Sequence, residues 1–249
     1  MASSDADKIE RERQFHDHRF ETNVRAKAQR YYSVEAGRGR YHELLDAIPS
    51  GARVLEYGCG PGSAAFDLAA HGAEVVGIDI SQVAIDKATA TAKERGVSAA
   101  FTTMNAEALE FPDDHFDYVV GTGILHHLDL ELATDQIRRV LKPTGTGIFL
   151  EPMGTNPIIN MYRNRTPAMR TPDEHPIVFS DFTLFGRYFG QITTEFFDVA
   201  GLAGIALKKV PGGKRVTRGL HAVDKRLFKW IPPYRRLAWM TLVTLRQPR

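Results

Sequence analysis

Between residues 53 and 151 short apolar runs alternate with longer amphipathic stretches. Arg53–Tyr57, Glu74–Ile78, Ala99–Thr103, Phe116–Gly121 and Gly147–Glu151 have the length and apolar character of buried strands. Ala64–His71, Gln82–Glu94 and Glu131–Leu141 lie between them and have helical spacing, and Ser81 is placed to cap the second of these. Strands that alternate with helices in this way predict a doubly wound α/β domain, a parallel sheet with helices on both faces. Ligands of such a sheet bind at the carboxyl ends of its strands.

Before this run, Asp7 to Gln29 is dense in charge, with Phe15, Phe20 and Val24 loosely at helical intervals, which predicts one or two exposed helices. Tyr31-Tyr32-Ser33 and the turn Gly37-Arg38-Gly39 follow, and Tyr41 to Ile48 reads as a helix ended by Pro49-Ser50-Gly51. After it, five prolines between Pro152 and Pro176 forbid a long regular helix or a central strand. An insertion there, at the carboxyl end of a strand, is where α/β enzymes carry substrate-recognition elements, though a stiffened surface connection has the same composition. Ser180–Phe189 then reads as a helix, Ile192–Phe197 as a strand, Val216–Phe228 as a basic amphipathic helix, and Trp239–Leu245 as the last strand. Trp230 and Trp239 read as packing residues.

Chemistry enters at Val54-Leu55-Glu56-Tyr57-Gly58-Cys59-Gly60-Pro61-Gly62-Ser63, an apolar strand running into a glycine turn. Alternating glycines let the backbone turn sharply and approach a ligand closely. A dinucleotide fingerprint lays a pyrophosphate on the following helix, but Glu56 two residues before Gly58 would repel phosphate and welcome a cation such as an amino group. Asp79, at the end of the next strand, is placed to accept hydrogen bonds from two ribose hydroxyls. Both charges suit S-adenosylmethionine (SAM).

From about Tyr41 to Phe149 the sequence resembles the class I SAM-dependent methyltransferase family, in its small-molecule branch. Glu56, Gly58, Gly60 and Gly62 match the glycine-rich motif, Asp79 and its neighbour Ile80 the ribose-binding end, and Asn105-Ala106-Glu107 the third motif, with Asn105 in place of the usual Asp. Phe116-Asp117-Tyr118-Val119-Val120-Gly121 matches the fourth motif and Val140-Leu141-Lys142-Pro143-Thr144-Gly145 the fifth. The resemblance implies a Rossmann-like sheet of seven strands, mostly parallel, with an antiparallel last strand inserted beside the fifth. It implies SAM as cofactor, an N-terminal helical lid over residues 1–40 with Tyr31 and Tyr32 facing the acceptor, and a methyltransferase domain over 41–249 that includes the acceptor-site insertion 152–180.

Composition narrows the setting. At 249 residues and 43% hydrophobic content, one full α/β core can be buried. The single cysteine, Cys59, lies in the glycine turn, so neither a disulfide framework nor a thiolate metal site is expected, and with no apolar leader or spanning run a cytoplasmic location is the default. The net charge of +2 divides unevenly: residues 208–249 carry +11 and the remainder −9. That basic C-terminal part suits an anionic acceptor, peripheral contact with a membrane surface, or simple solvation. Nucleic acid is disfavoured, because no Asn/Asp-Pro-Pro-aromatic signature follows the fourth strand; Pro232-Pro233-Tyr234 is far from it. The N-terminal helices or the C-terminal segment are where a second copy would pair in a homodimer.

Methyl transfer needs a positioned nucleophile and a group to take its proton. His126 and His127, directly after the fourth strand, are the candidate bases, with His126 preferred, and both also suit structural roles. Glu151, with Glu174 and His175 in the insertion and His126 beside them, forms a candidate divalent site, which its oxygens would suit for Mg²⁺. Arg163, Arg170 and His175 are candidate acceptor contacts. The expected reaction is methylation of a hydroxyl on a small polar acceptor such as a saccharide, glycoside or oxygenated natural product. N- or C-methylation of an aromatic or lipid-like acceptor is the alternative if Phe179, Phe182, Phe185, Phe196 and Phe197 wall the pocket, and a non-catalytic SAM-binding subunit is a third reading.

Overall fold

The computed structural model describes residues 5–22, 35–62, 64–167, 171, 173–207 and 210–249. Tyr31, Tyr32 and Arg170, candidate acceptor contacts, lie outside the described residues. In chain order the elements are α1 (Asp5–Thr22), α2 (Glu35–Asp46), β1 (Arg53–Tyr57), α3 (Ala65–Ala70), β2 (Glu74–Asp79), α4 (Gln82–Arg95), β3 (Ala99–Thr103) and β4 (Phe116–Thr122). Then come α5 (Leu130–Val140), β5 (Leu141–Pro152), α6 (Pro157–Arg165), α7 (Phe179–Tyr188), β6 (Phe189–Phe197), α8 (Ala203–Leu207), α9 (Gly213–Trp230) and β7 (Met240–Pro248).

The seven strands form one sheet in the order β3-β2-β1-β4-β5-β7-β6. The first five are parallel, and β7 runs antiparallel between β5 and β6. This is the Rossmann-like arrangement with an antiparallel last strand that the sequence implied. Both faces are buried, as a parallel sheet requires. Val54, Val120, Ile148 and Leu150 join one apolar cluster, while Leu55, Val119 and Phe149, their neighbours in the same strands, join the other.

Strand order reverses between β1 and β4, which pair directly with Glu56 opposite Val120. The crevice beyond such a reversal is the expected ligand position in an open α/β sheet. The loops after β1 and β4 therefore lie side by side at the carboxyl edge.

Several boundaries differ from the sequence reading. α5 stops at Val140 because Leu141 already pairs with Phe116, so β5 starts six residues before Gly147 and carries a register shift opposite Phe116 and Tyr118. α2 starts at Glu35 and runs through residues 40 and 41, packing Tyr41 and Leu45 against the sheet. Within the proline-rich insertion, α6 is a nine-residue helix with Pro157 in its first turn, where the missing N–H costs nothing. Asn156 Oδ1 caps it by accepting from the Ile158 and Ile159 amides at 2.9 and 3.2 Å. Trp230, read from the sequence as packing, is 74% exposed at the end of α9. Among the described residues no helix is long and apolar enough to cross a membrane.

Candidate active site at the carboxyl edge of the sheet

A pocket of about 800 Å³ opens at the switch between β1 and β4, within the usual size of a small-ligand site. Its floor is the glycine turn. Gly58, Gly60 and Gly62 all have left-handed backbone, φ 69°, 54° and 89°, which only glycine adopts without strain. A Cβ on Gly58 would come within 2.6 Å of the Ile124 side chain, and one on Gly62 within 2.2 Å of Phe66.

Glu56 does not face this pocket, contrary to the direct cation contact read from the sequence. It is buried under the turn, where its two carboxylate oxygens accept from the Ala64 and Ala65 amides at 2.8 and 2.9 Å. Those N–H groups begin α3, where no preceding turn can accept from them and the N-cap residue Ala64 has no side chain that could. The consequence supports the sequence argument by another route: the amides that would cradle a pyrophosphate are already taken.

Asp79 lies at the pocket edge with Oδ2 accepting from the Gly60 amide at 2.8 Å and Oδ1 from the Ser81 amide at 2.9 Å. Each oxygen keeps a second lone pair for a hydroxyl. Ser81 caps α4 through the Ala84 amide, as expected. Ile80, Asn105 and Ala106 also line the pocket. Asn105 Oδ1 accepts from the Glu107 amide at 2.9 Å, so it first of all shapes its own turn. The Tyr57 hydroxyl donates to the Ala106 carbonyl and ties that turn to β1. Gly121 is a packing position: a Cβ there would stand 2.9 Å from the Tyr57 carbonyl and the Ile124 side chain.

Opposite the glycine turn are His126 and His127, buried in a short 3-10 turn over Leu125–His127. Glu151, fully buried at the end of β5, organises this loop. Its Oε1 accepts from the Ile124 and Leu125 amides, each at 2.9 Å, and its Oε2 is 2.8 Å from His126 Nδ1. Burial pushes Glu151 up to about 7, against the pull of the Leu125 and Ile124 amides. Burial, then the charge of neighbouring His126, pushes His127 down to about 4 against the pull of Glu12.

The proposed ligand set of Glu151, Glu174 and His175 is not gathered. Glu151 is committed to the loop, and His175 has a side chain 64% exposed that faces Asp181 at 3.8 Å. Only the backbone of His175 reaches the site, donating to the His126 carbonyl at 2.6 Å. Glu174 stands 4.0 Å from His127 Nε2 and 3.8 Å from Arg163, so Arg163 points at an acid of its own insertion and not into the pocket. The five phenylalanines also lie elsewhere: Phe179, Phe182, Phe185 and Phe196 pack into the core, and Phe197 packs beside Gly37.

α1 covers the pocket. Lys8 pairs with Glu107 at 3.1 Å, Arg11 with Asp173 at 3.0 Å, and Glu12 approaches His127 at 3.3 Å. Ile9, Glu12, His16 and Phe20 of this helix line the cavity, as do Trp239 and Met240 before and in β7. The sequence reading passed over Glu12 and His16, although their i, i+4 spacing marks one helix face, and it read Trp239 as a packing residue.

A doubly wound sheet, a left-handed glycine turn with its helix amides occupied, and an acid closing the second strand define a class I methyltransferase-type domain. Residues 54–145 match the sequence profile of a family described as a methyltransferase domain, and over that stretch the chain is similar to class I SAM-dependent methyltransferases. An uncharacterized methyltransferase of Bacillus subtilis, YcgJ, is 31% identical over 123 residues, 48% of this chain and 49% of that protein. Its crystal structure superposes with a TM-score of 0.58 at 20% identity, covering 84% of this chain and 99% of that one. A ubiquinone biosynthesis O-methyltransferase of Alkalilimnicola ehrlichii is 33% identical over 149 residues, 55% of this chain and 60% of that protein. The structure of the [4+2]-cyclase SpnF gives a TM-score of 0.57 at 23% identity over 84% of this chain and 80% of that one, a likeness of fold alone. The chain thus spans about half the length of the curated relatives it matches.

Proposed function

We propose that this chain transfers a methyl group from SAM to a hydroxyl of a small molecule, with His126 as general base and Glu151 as its positioning residue. The observation that carries the reading is the Glu151–His126 pair at the rim of the glycine-floored pocket. Glu151 Oε2, 2.8 Å from His126 Nδ1, accepts a hydrogen bond from that nitrogen and so leaves Nε2 as the basic one. The two amides on Glu151 Oε1 fix the carboxylate and hence the ring.

The residues fit SAM: the glycine turn gives close backbone approach, Asp79 offers carboxylate lone pairs to ribose hydroxyls, and no amide cradle for pyrophosphate competes. When bound, SAM supplies an electrophilic methyl on a sulfonium. With SAM bound, His126 Nε2 would accept the proton of the acceptor O–H as that oxygen takes the methyl group and S-adenosylhomocysteine leaves. α1, which lines the pocket, excludes water and orients the acceptor.

The acceptor is best read as a hydroxyl on a largely apolar or aromatic body. Ile124, Leu128, Leu150, Pro152, Trp239 and Met240 supply apolar walls, whereas Arg163 and His175, which suggested a saccharide, point elsewhere. Relatives described as ubiquinone O-methyltransferases favour the same oxygen chemistry. Phenols and quinols should therefore turn over faster than sugars or glycosides.

The test compares wild type with His126→Ala and Glu151→Gln, measuring S-adenosylhomocysteine formation and SAM affinity separately. His126→Ala should lower kcat by about 10²- to 10⁴-fold with SAM affinity unchanged. Glu151→Gln should lower kcat by less, with little change in KM. Wild-type turnover in His126→Ala would remove the base assignment, and an intact SAM complex that methylates no hydroxyl would favour the non-catalytic reading.

A further inference from the structure

A second cluster adjoins the His126–Glu151 pair, the rings of His126 and His127 having centroids 4.2 Å apart. Glu12 and His16 project from one face of α1, and His127 meets them from the loop after β4. Glu12 Oε2 is 3.3 Å from His127 Nδ1 and 3.5 Å from His16 Nε2. The two imidazole rings meet at 76° with centroids 5.0 Å apart, and one donor atom from each of the three side chains lies within 4.8 Å of the others.

These contacts are poorly aligned as hydrogen bonds. Both Glu12 oxygens and His127 Nδ1 are buried, and none has a hydrogen-bond partner among the described residues. Burying a carboxylate this way, with its side chain 8% exposed, is costly unless something else meets it. The spacing indicates what. Nitrogen and oxygen ligands bound at 2.0 to 2.2 Å to a tetrahedral ion stand about 3.3 to 3.6 Å apart.

We propose that Glu12, His16 and His127 bind a divalent transition-metal ion of the Zn²⁺ type. Two imidazoles and one carboxylate suit zinc and its first-row neighbours and not Mg²⁺, which takes oxygen. The other nitrogen of His127 faces Glu174 at 4.0 Å, and Arg163 stands 3.8 Å behind that acid, the outer carboxylate that a metal-bound histidine commonly has. All three ligands line the pocket. Three protein ligands would leave a fourth position for an acceptor hydroxyl from the cavity; this last point rests on the reading given above. The ion would also staple α1 to the core of the site.

The experiment titrates the metal-stripped full-length chain with Co²⁺, without SAM or acceptor, and follows the visible bands of tetrahedral cobalt. One equivalent should bind and be displaced by Zn²⁺. Glu12→Gln and His16→Ala, checked for native circular dichroism, should each weaken binding by at least about tenfold, while His175→Ala should leave it unchanged. X-ray absorption on the wild-type cobalt protein needs no variant and should show two imidazoles in the shell. Failure to bind Co²⁺ saturably, an all-oxygen shell, or binding that survives both variants would overturn the site. None of these outcomes touches methyl transfer, which is measured separately.

Discussion

Glu151 joins the stability of the fold to the proposed chemistry. Its two accepted amides hold the loop after β4, and its remaining oxygen orients His126. Because burial raises its pKa from 4.5 to about 7, the folded state keeps a proton that the unfolded state has lost between those values. Unfolding then releases a proton, and stability falls as pH rises from about 4.5 to 7. Below that window the folded and unfolded states are both protonated, and above it neither is. Urea unfolding of wild type and Glu151→Gln across pH 4 to 8 should therefore diverge, the wild type losing stability relative to the variant as pH rises. Parallel curves would show that Glu151 titrates normally. The importance of Glu151 was legible in the sequence, but as a metal ligand. Its true partners are backbone amides 26 and 27 residues earlier, which no spacing rule exposes.

At the scale of elements, the sheet and the lid are held by different physics. The central strands bury alternate side chains into two apolar clusters, each large residue contributing about 1.5 to 3 kcal/mol. α1 has few buried apolar residues and is tied down by pairs such as Lys8–Glu107 and Arg11–Asp173, whose side chains are 10 to 39% exposed. Pairs of that exposure are worth about 1 kcal/mol or less each. α1 should therefore open without the sheet unfolding. Raising salt from about 0.1 to 1 M shortens the screening length from about 10 to 3 Å, and amide exchange over residues 5–22 should quicken while β1 and β4 stay protected. Exchange of α1 indifferent to salt would mean that it is held by packing. This contrast explains what the sequence disclosed. The apolar runs placed all five parallel strands to within a few residues, except the start of β5. The docking of α1 was not readable, because its latches join residues 99 and 162 positions apart with no periodic signal.

At the scale of the whole molecule, chain order explains the division of labour. The ends of β1 and β2 supply the glycine turn and Asp79, and the loop after β4 supplies His126, the proposed base, each at a carboxyl end of the sheet. Five motifs in order made the fold and the cofactor legible, because a ligand that touches successive strand ends fixes residue types at each. The pocket wall draws on α1, Leu150 and Trp239, residues far apart in sequence and joined by no motif, so the sequence did not disclose them as one surface. The same fold carries other chemistry, as the [4+2]-cyclase neighbour illustrates, so the account depends on the cofactor actually occupying the glycine-floored pocket. The direct test is calorimetric titration of SAM into wild type and Asp79→Asn. The account predicts one site, weakened about 10- to 100-fold by the variant, as loss of a charged hydrogen-bond acceptor should cause; no binding to wild type, or equal binding by both proteins, would contradict it.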